Sequence, residues 1–147
     1  MSVRRATETD LPRLIELMAQ LHPDEPETED PSRVEDYARV LARMTAQGQR
    51  VLVAEDDGRI AGALVLVIVE NITRKGTPYA IIENMVVDEA SRGQRYGEAL
   101  IEQAILEARR AGCYKVSLTS NKRRAEAHRF YERLGFVQTH EAFRIDL

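Results

Sequence analysis

Apolar residues follow two different periods along this chain, and the switches between them predict its elements. Ser2 to Ala6 is a short candidate strand. Leu11, Leu14, Ile15, Met18 and Leu21 then recur at helical spacing, with Thr9 or Asp10 as N-cap, Pro12 in the first turn and His22-Pro23 as the stop. A stretch rich in proline and carboxylates, from Pro23 to Pro31, reads as an acidic loop. A second helix follows from Ser32, with Val34, Tyr37, Ala38, Leu41 and Met44 on one stripe and Gly48 beyond its end.

The period then changes to that of strands. Arg50 to Glu55 and Arg59 to Val69 flank Asp57-Gly58, a hairpin turn signal. Asn71 to Pro78 is a connection. Tyr79 to Val87 is a third long strand, and its apolar flanks predict burial on both faces in spite of polar Glu83 and Asn84. Ser91 to Gly97 is a basic, glycine-containing turn that opens a helix. Tyr96, Ala99, Leu100, Ala104, Ile105, Ala108 and Ala111 form its apolar side, and Gly112 ends it. Tyr114 to Thr119 is a strand, Arg124 to Leu134 a short helix with Gly135 at its C′ position, and Phe136 onward two terminal strands. Three consecutive strands preceded by helices point to an α+β sheet rather than regular βαβ winding.

Composition narrows the classes of function. The 147 residues fit one domain, 1–147, with 44% hydrophobic and 31% charged residues, an ordinary globular balance. A net charge of −3 argues against a general nucleic-acid binder. Cys113 is the only cysteine, and His22, His128 and His140 lack zinc-site spacing, so neither a disulfide nor a metal is expected. The charged first ten residues do not read as a signal peptide. The longest apolar run, Ile60 to Val69, is half the roughly 20 residues a membrane span needs. No membrane association and a reducing cytoplasm are the expectations.

Two strings carry candidate chemistry. In Arg92-Gly93-Gln94-Arg95-Tyr96-Gly97 a helix N-terminus follows a strand, so unpaired N–H groups and the positive dipole end could hold a phosphate. Taken alone, the string also fits a tight turn with exposed arginines. G-x-G-x-x-G is absent, which disfavours a dinucleotide fold. In Ala127 to Phe136, a short helix turns Phe130 and Leu134 to the core beside Tyr131, whose plainest role is that of a tethered core tyrosine.

Together these strings resemble the GNAT acyltransferase superfamily, and the whole chain follows its layout. Ile82 to Asp88 stands where that family has its acetyl-CoA strand, and Arg92 to Gly97 resembles its pyrophosphate loop. Phe130-Tyr131-Glu132-Arg133-Leu134-Gly135-Phe136 looks like its C-terminal motif. Arg95 departs from the pattern, standing where the family usually has its first glycine; an arginine serves there provided the turn does not demand φ > 0.

The resemblance implies a mixed, mostly antiparallel sheet splayed between its fourth and fifth strands, flanked by helices. It also implies acetyl-CoA as cosubstrate, an amine as acceptor, no metal, and room for a homodimer. The backbone of Met85, Val86 and Val87 would pair with the pantetheine arm. Arg92, Gly93, Gln94, Arg95, Tyr96 and Gly97 would hold the pyrophosphate. Asn121, otherwise a turn residue, would bind the pantetheine amide, and Arg124 would meet the nucleotide phosphates. Tyr131 would protonate the departing thiolate.

An alkylamine with a pKa of about 10 must lose a proton before it attacks a thioester. Glu83, a polar interruption beside the cofactor segment, is the candidate base, against a structural carboxylate. Ile82-Glu83-Asn84 and Gly112-Cys113-Tyr114-Lys115 resemble sugar-phosphate and small-amine acetyltransferases, which tilts the acceptor toward a small molecule. A catalytically silent acyl-CoA-binding domain and a protein acetyltransferase are the rival readings.

Overall fold

The computed structural model describes all 147 residues. Its elements are β1 (Ser2–Arg5), α1 (Leu11–Ala19), α2 (Val34–Ala46), β2 (Gln49–Asp56), β3 (Arg59–Val69), the helical turn α3 (Thr73–Gly76), β4 (Tyr79–Val87), α4 (Tyr96–Arg110), β5 (Val116–Leu118) and α5 (Ala125–Arg133). The chain divides into two compact units, Met1–Ser117 and Leu118–Leu147.

The strands form one sheet in the order β1-β2-β3-β4-β5. The β1/β2, β2/β3 and β3/β4 pairs are antiparallel. At the start of β5 the pairing is parallel: the Tyr114 N–H donates to the Pro78 carbonyl and the Ala80 N–H to the Lys115 carbonyl, both at 3.0 Å. The β2–β3 turn is the predicted one, with Asp57 and Gly58 at φ 47° and 73°, the double positive φ of a tight hairpin.

Register separates the two faces of the sheet. Val51, Val53, Ala63, Val65 and Val86 pack with Leu11, Leu14 and Leu17 of α1, and Tyr37, Ala38 and Leu41 of α2 close over them. Leu52 and Leu64, paired and fully buried, alternate onto the opposite face, where α4 lies with its buried Leu100, Ile101 and Ala104. Burial of each large aliphatic side chain contributes roughly 1.5–3 kcal/mol. Gly62 lets α4 approach closely: a Cβ there would stand 2.9 Å from the Val86 carbonyl oxygen and 3.2 Å from Leu100 Cδ1.

Two expectations are corrected. The predicted strands from Phe136 onward do not form; 136–147 carries neither helix nor strand, and Val137, Phe143, Ile145 and Leu147 are exposed. The connection 71–78 is as expected, and it contains a left-handed turn with Arg74, Lys75 and Gly76 all at positive φ. Strand β4 is not buried on both faces, since Glu83 and Asn84 are exposed.

Candidate active site

The exposure of Glu83 and Asn84 comes from a break in the β3–β4 ladder. Val65 pairs with Glu83 and Ala63 with Val86, so Leu64 alone faces two residues, Asn84 and Met85. That is a β-bulge, and it leaves backbone groups outside the regular ladder. Asn84 takes φ 50°, a left-handed conformation that asparagine tolerates better than most residues. Glu83, as the partner of Val65, lies on the sheet face that carries α1 and α2. Extending the register set by Ala80 and Lys115 brings Val116 and Ser117 beside Ile81 and Ile82. Strand β5 therefore has little length left beyond the bulge, and this end of β4 keeps an edge on which an extended ligand can pair.

Strand β4 runs into the second part of the site. Asp88 turns the chain into a 3-10 turn, Glu89–Ser91, and Arg92 to Arg95 follow as exposed loop. Gly93 sits at φ 80° with nothing within 4 Å of a would-be Cβ, so this side of the loop is open. Helix α4 starts at Tyr96 and no side chain caps it, which leaves its first N–H groups and its positive dipole end for an anion. The Tyr96 hydroxyl donates to Asp56 at 3.0 Å and fixes this end against β2.

Arg95 is the surprise in that loop. It adopts φ 67°, so the turn does demand the conformation a glycine takes without cost. Its guanidinium grips Glu98 through two 2.8 Å hydrogen bonds, one turn along α4, instead of standing free for phosphate. Arg95→Gly is expected to be more stable than Arg95→Ala by about 1 kcal/mol, because both lose the ion pair and only alanine keeps the strain. Equal denaturation midpoints for the two variants would show that the arginine backbone is not strained.

The unit Leu118–Leu147 holds the remaining candidates. Asn121 fills a turn role: its Oδ1 accepts from the Arg123 N–H at 3.0 Å and its carbonyl from the Arg124 N–H at 2.9 Å. His128 Nε2 meets the same carbonyl at 2.9 Å, a local structural contact. Arg124 is exposed at the start of α5. Tyr131 packs edge-on between Phe130 and Phe136, with ring centroids 5.2 and 5.9 Å away. Burial pushes its phenol above the ordinary tyrosine value, while the Arg124 charge opposes the shift. A phenol of this kind stays protonated at neutral pH and has a proton to give. Cys113 is half-buried, and burial raises its thiol, so it stays an unreactive packing residue.

Over residues 11–136 the sequence matches the Acetyltransferase (GNAT) family. The chain belongs to that family. The GNAT chain is 33% identical to the glucosamine 6-phosphate N-acetyltransferase of Trypanosoma brucei brucei, over 100% of this chain and 96% of the relative. It is 35% identical to glucosamine 6-phosphate N-acetyltransferase 1 of Oryza sativa subsp. japonica, over 83% of this chain and 72% of that one. The crystal structure of glucosamine-6-phosphate N-acetyltransferase from Arabidopsis thaliana superposes with a TM-score of 0.86 at 25% identity, covering 99% of this chain and 97% of the other.

This GNAT protein is thus an N-acetyltransferase, and acetyl-CoA is the acyl donor of its family. The bulge and the uncapped helix start fit that donor, which brings an extended amide-bearing arm and a pyrophosphate. No helix of the GNAT chain is long and apolar enough to cross a membrane.

Sequence reasoning passed over one residue of this region, Asp88. Burial would raise its carboxyl, but hydrogen bonds from Gln20 and Arg13 outweigh that and hold it below the usual carboxylate range. An aspartate at a strand end looks like any turn former, and its partners lie 68 and 75 positions away, beyond any local pattern.

Proposed function

We propose that this chain transfers the acetyl group of acetyl-CoA to the primary amine of a small phosphorylated amino sugar, glucosamine 6-phosphate or a near analogue, by direct transfer in a ternary complex. The observation that carries this reading is the likeness to the Trypanosoma brucei brucei enzyme along essentially the whole of both chains.

In this reading the bulged backbone at Met85, Val86 and Val87 pairs with the pantetheine arm. The loop Arg92, Gly93, Gln94, Arg95, Tyr96 and Gly97 holds the pyrophosphate on the uncapped start of α4, with the backbone rather than the Arg95 side chain as the main grip. Asn121 retains its Nδ2 donor for a pantetheine amide, and Arg124 offers charge to the nucleotide.

Glu83, directly or through water, takes the ammonium proton, and the freed lone pair forms the C–N bond. A backbone N–H at the bulge holds the negative charge that develops on the carbonyl oxygen. As the C–S bond breaks, the newly bonded nitrogen loses its second proton to water to leave a neutral amide, and Tyr131 gives its proton to the thiolate and recovers one from solvent. No covalent enzyme intermediate is required.

A panel of acceptors assayed by thiol release tests the substrate. Glucosamine 6-phosphate is expected to exceed glucosamine in kcat/KM by about 10²-fold or more, because a site built for a charged group rejects an analogue lacking it. Faster transfer to a lysine-bearing peptide would make the chain a protein acetyltransferase instead. The exposed Phe143, Ile145 and Leu147 give a second copy something apolar to cover, which favours a homodimer. Sedimentation at the mass of one chain would exclude the dimer.

A further inference from the structure

We propose that Asp88 is a positioning residue, clasped by α1, that sets the pyrophosphate loop in its binding conformation. The inference rests on the loop assignment above and adds the device that holds the loop. Asp88 is 6% exposed, and all of its polar groups are engaged. Its N–H donates to the Ala61 carbonyl at 2.8 Å, and its own carbonyl accepts from the Ser91 N–H at 2.8 Å. Its carboxylate accepts from Arg13, from Gln20 Nε2 at 3.3 Å and from Arg59 at 3.2 Å.

Gln20 closes the clasp. While its Nε2 holds Asp88, its Oε1 accepts the Glu89 N–H at 3.0 Å, so one side chain grips both residues at the loop entrance. Arg13 is fixed in turn by the Ile60 carbonyl at 3.1 Å and by Glu16 at 2.9 Å. Arg13 of α1 and Gln20, the residue that caps its C-terminus, therefore bind the point where β4 becomes the loop, at Asp88 and Glu89 just ahead of Arg92. An anion site made of backbone N–H groups depends on where that backbone stands, and small displacements weaken all of its hydrogen bonds together.

The sign of the effect separates positioning from electrostatics. Asp88→Asn removes a negative charge close to a pyrophosphate, which by charge alone would tighten binding. Positioning predicts the opposite. The experiment measures KM for acetyl-CoA and for acetyl-pantetheine, which lacks the pyrophosphate, in wild type, Asp88→Asn and Gln20→Ala. Gln20 is only half-buried, so its variant is expected to fold if the aspartate variant does not.

The clasp predicts that KM for acetyl-CoA rises about tenfold, the loss of roughly one hydrogen bond to a charged group, with KM for acetyl-pantetheine unchanged. Equal weakening of both donors, or tighter acetyl-CoA binding, would overturn the proposal. If wild type itself does not prefer acetyl-CoA over acetyl-pantetheine, the pyrophosphate loop is misassigned, a separate failure from that of the clasp.

Discussion

Tyr131→Phe is expected to lower kcat by about 10²–10⁴-fold, the usual contribution of a positioned acid, while acetyl-CoA affinity stays within about twofold. The substitution removes one hydroxyl and keeps the ring that packs against Phe130 and Phe136, so the local fold survives. The pH profile adds an independent check. An acid works only while it holds its proton, so wild-type activity is lost as pH rises through the phenol's pKa. Burial raises that value, which places the alkaline limb above the ordinary tyrosine range. The limb should vanish in Tyr131→Phe. A variant with full kcat would mean that water protonates the thiolate and that Tyr131 only packs.

Glu83→Gln carries the second large effect. At neutral pH the acceptor arrives mostly as an ammonium ion, and without a carboxylate to take its proton only the small free-amine fraction reacts. We expect kcat/KM at pH 7 to fall by about 10²-fold or more, with the deficit shrinking as pH rises, because alkaline solvent supplies free amine directly. The exposure of Glu83 fits this role, since its proton must leave to water. The same residue buried in a hydrogen-bonded network would have been the structural carboxylate. A Glu83→Gln profile parallel to wild type at every pH would move the base elsewhere.

The sequence exposed the architecture more readily than the details of the site. Asp57-Gly58 between two apolar runs named its own turn, and the α1, α2 and α4 stripes fall on the packed sides of their helices, although they left out Leu17 and Ile101, both fully buried. The bulge was hidden for a physical reason. Its signal is a shift of register against β3, and a single strand cannot display its partner's register. Glu83 and Asn84 therefore read as polar interruptions in a buried strand, although they mark where the ladder opens. At Arg95 the family pattern pointed to glycine, and the backbone adopts the glycine conformation with an arginine in place. In the tail, two strands were expected from Phe136 onward, and Phe143, Ile145 and Leu147 do alternate there. Alternation specifies a face to bury but supplies no neighbour to pair with, and 136–147 pairs with none.

The clasp on Asp88 and the strain at Arg95 act on the same loop from its two ends. One anchors the entrance by buried hydrogen bonds, and the other places a costly residue at the helix start. A functional loop that stores strain at one end and is tied down at the other is a reasonable way to keep backbone N–H groups aimed at an anion.

The account's central claim is turnover of acetyl-CoA with an amine. The measurement that tests it most directly is simultaneous quantification of free thiol and N-acetylated product from acetyl-CoA and glucosamine 6-phosphate, at substrate in large excess over enzyme. The account predicts many turnovers per chain, with thiol and acetylated amine formed one for one and neither formed when the amine is left out. Tight acetyl-CoA binding with no product across the acceptor panel would contradict it and leave a silent acyl-CoA-binding domain.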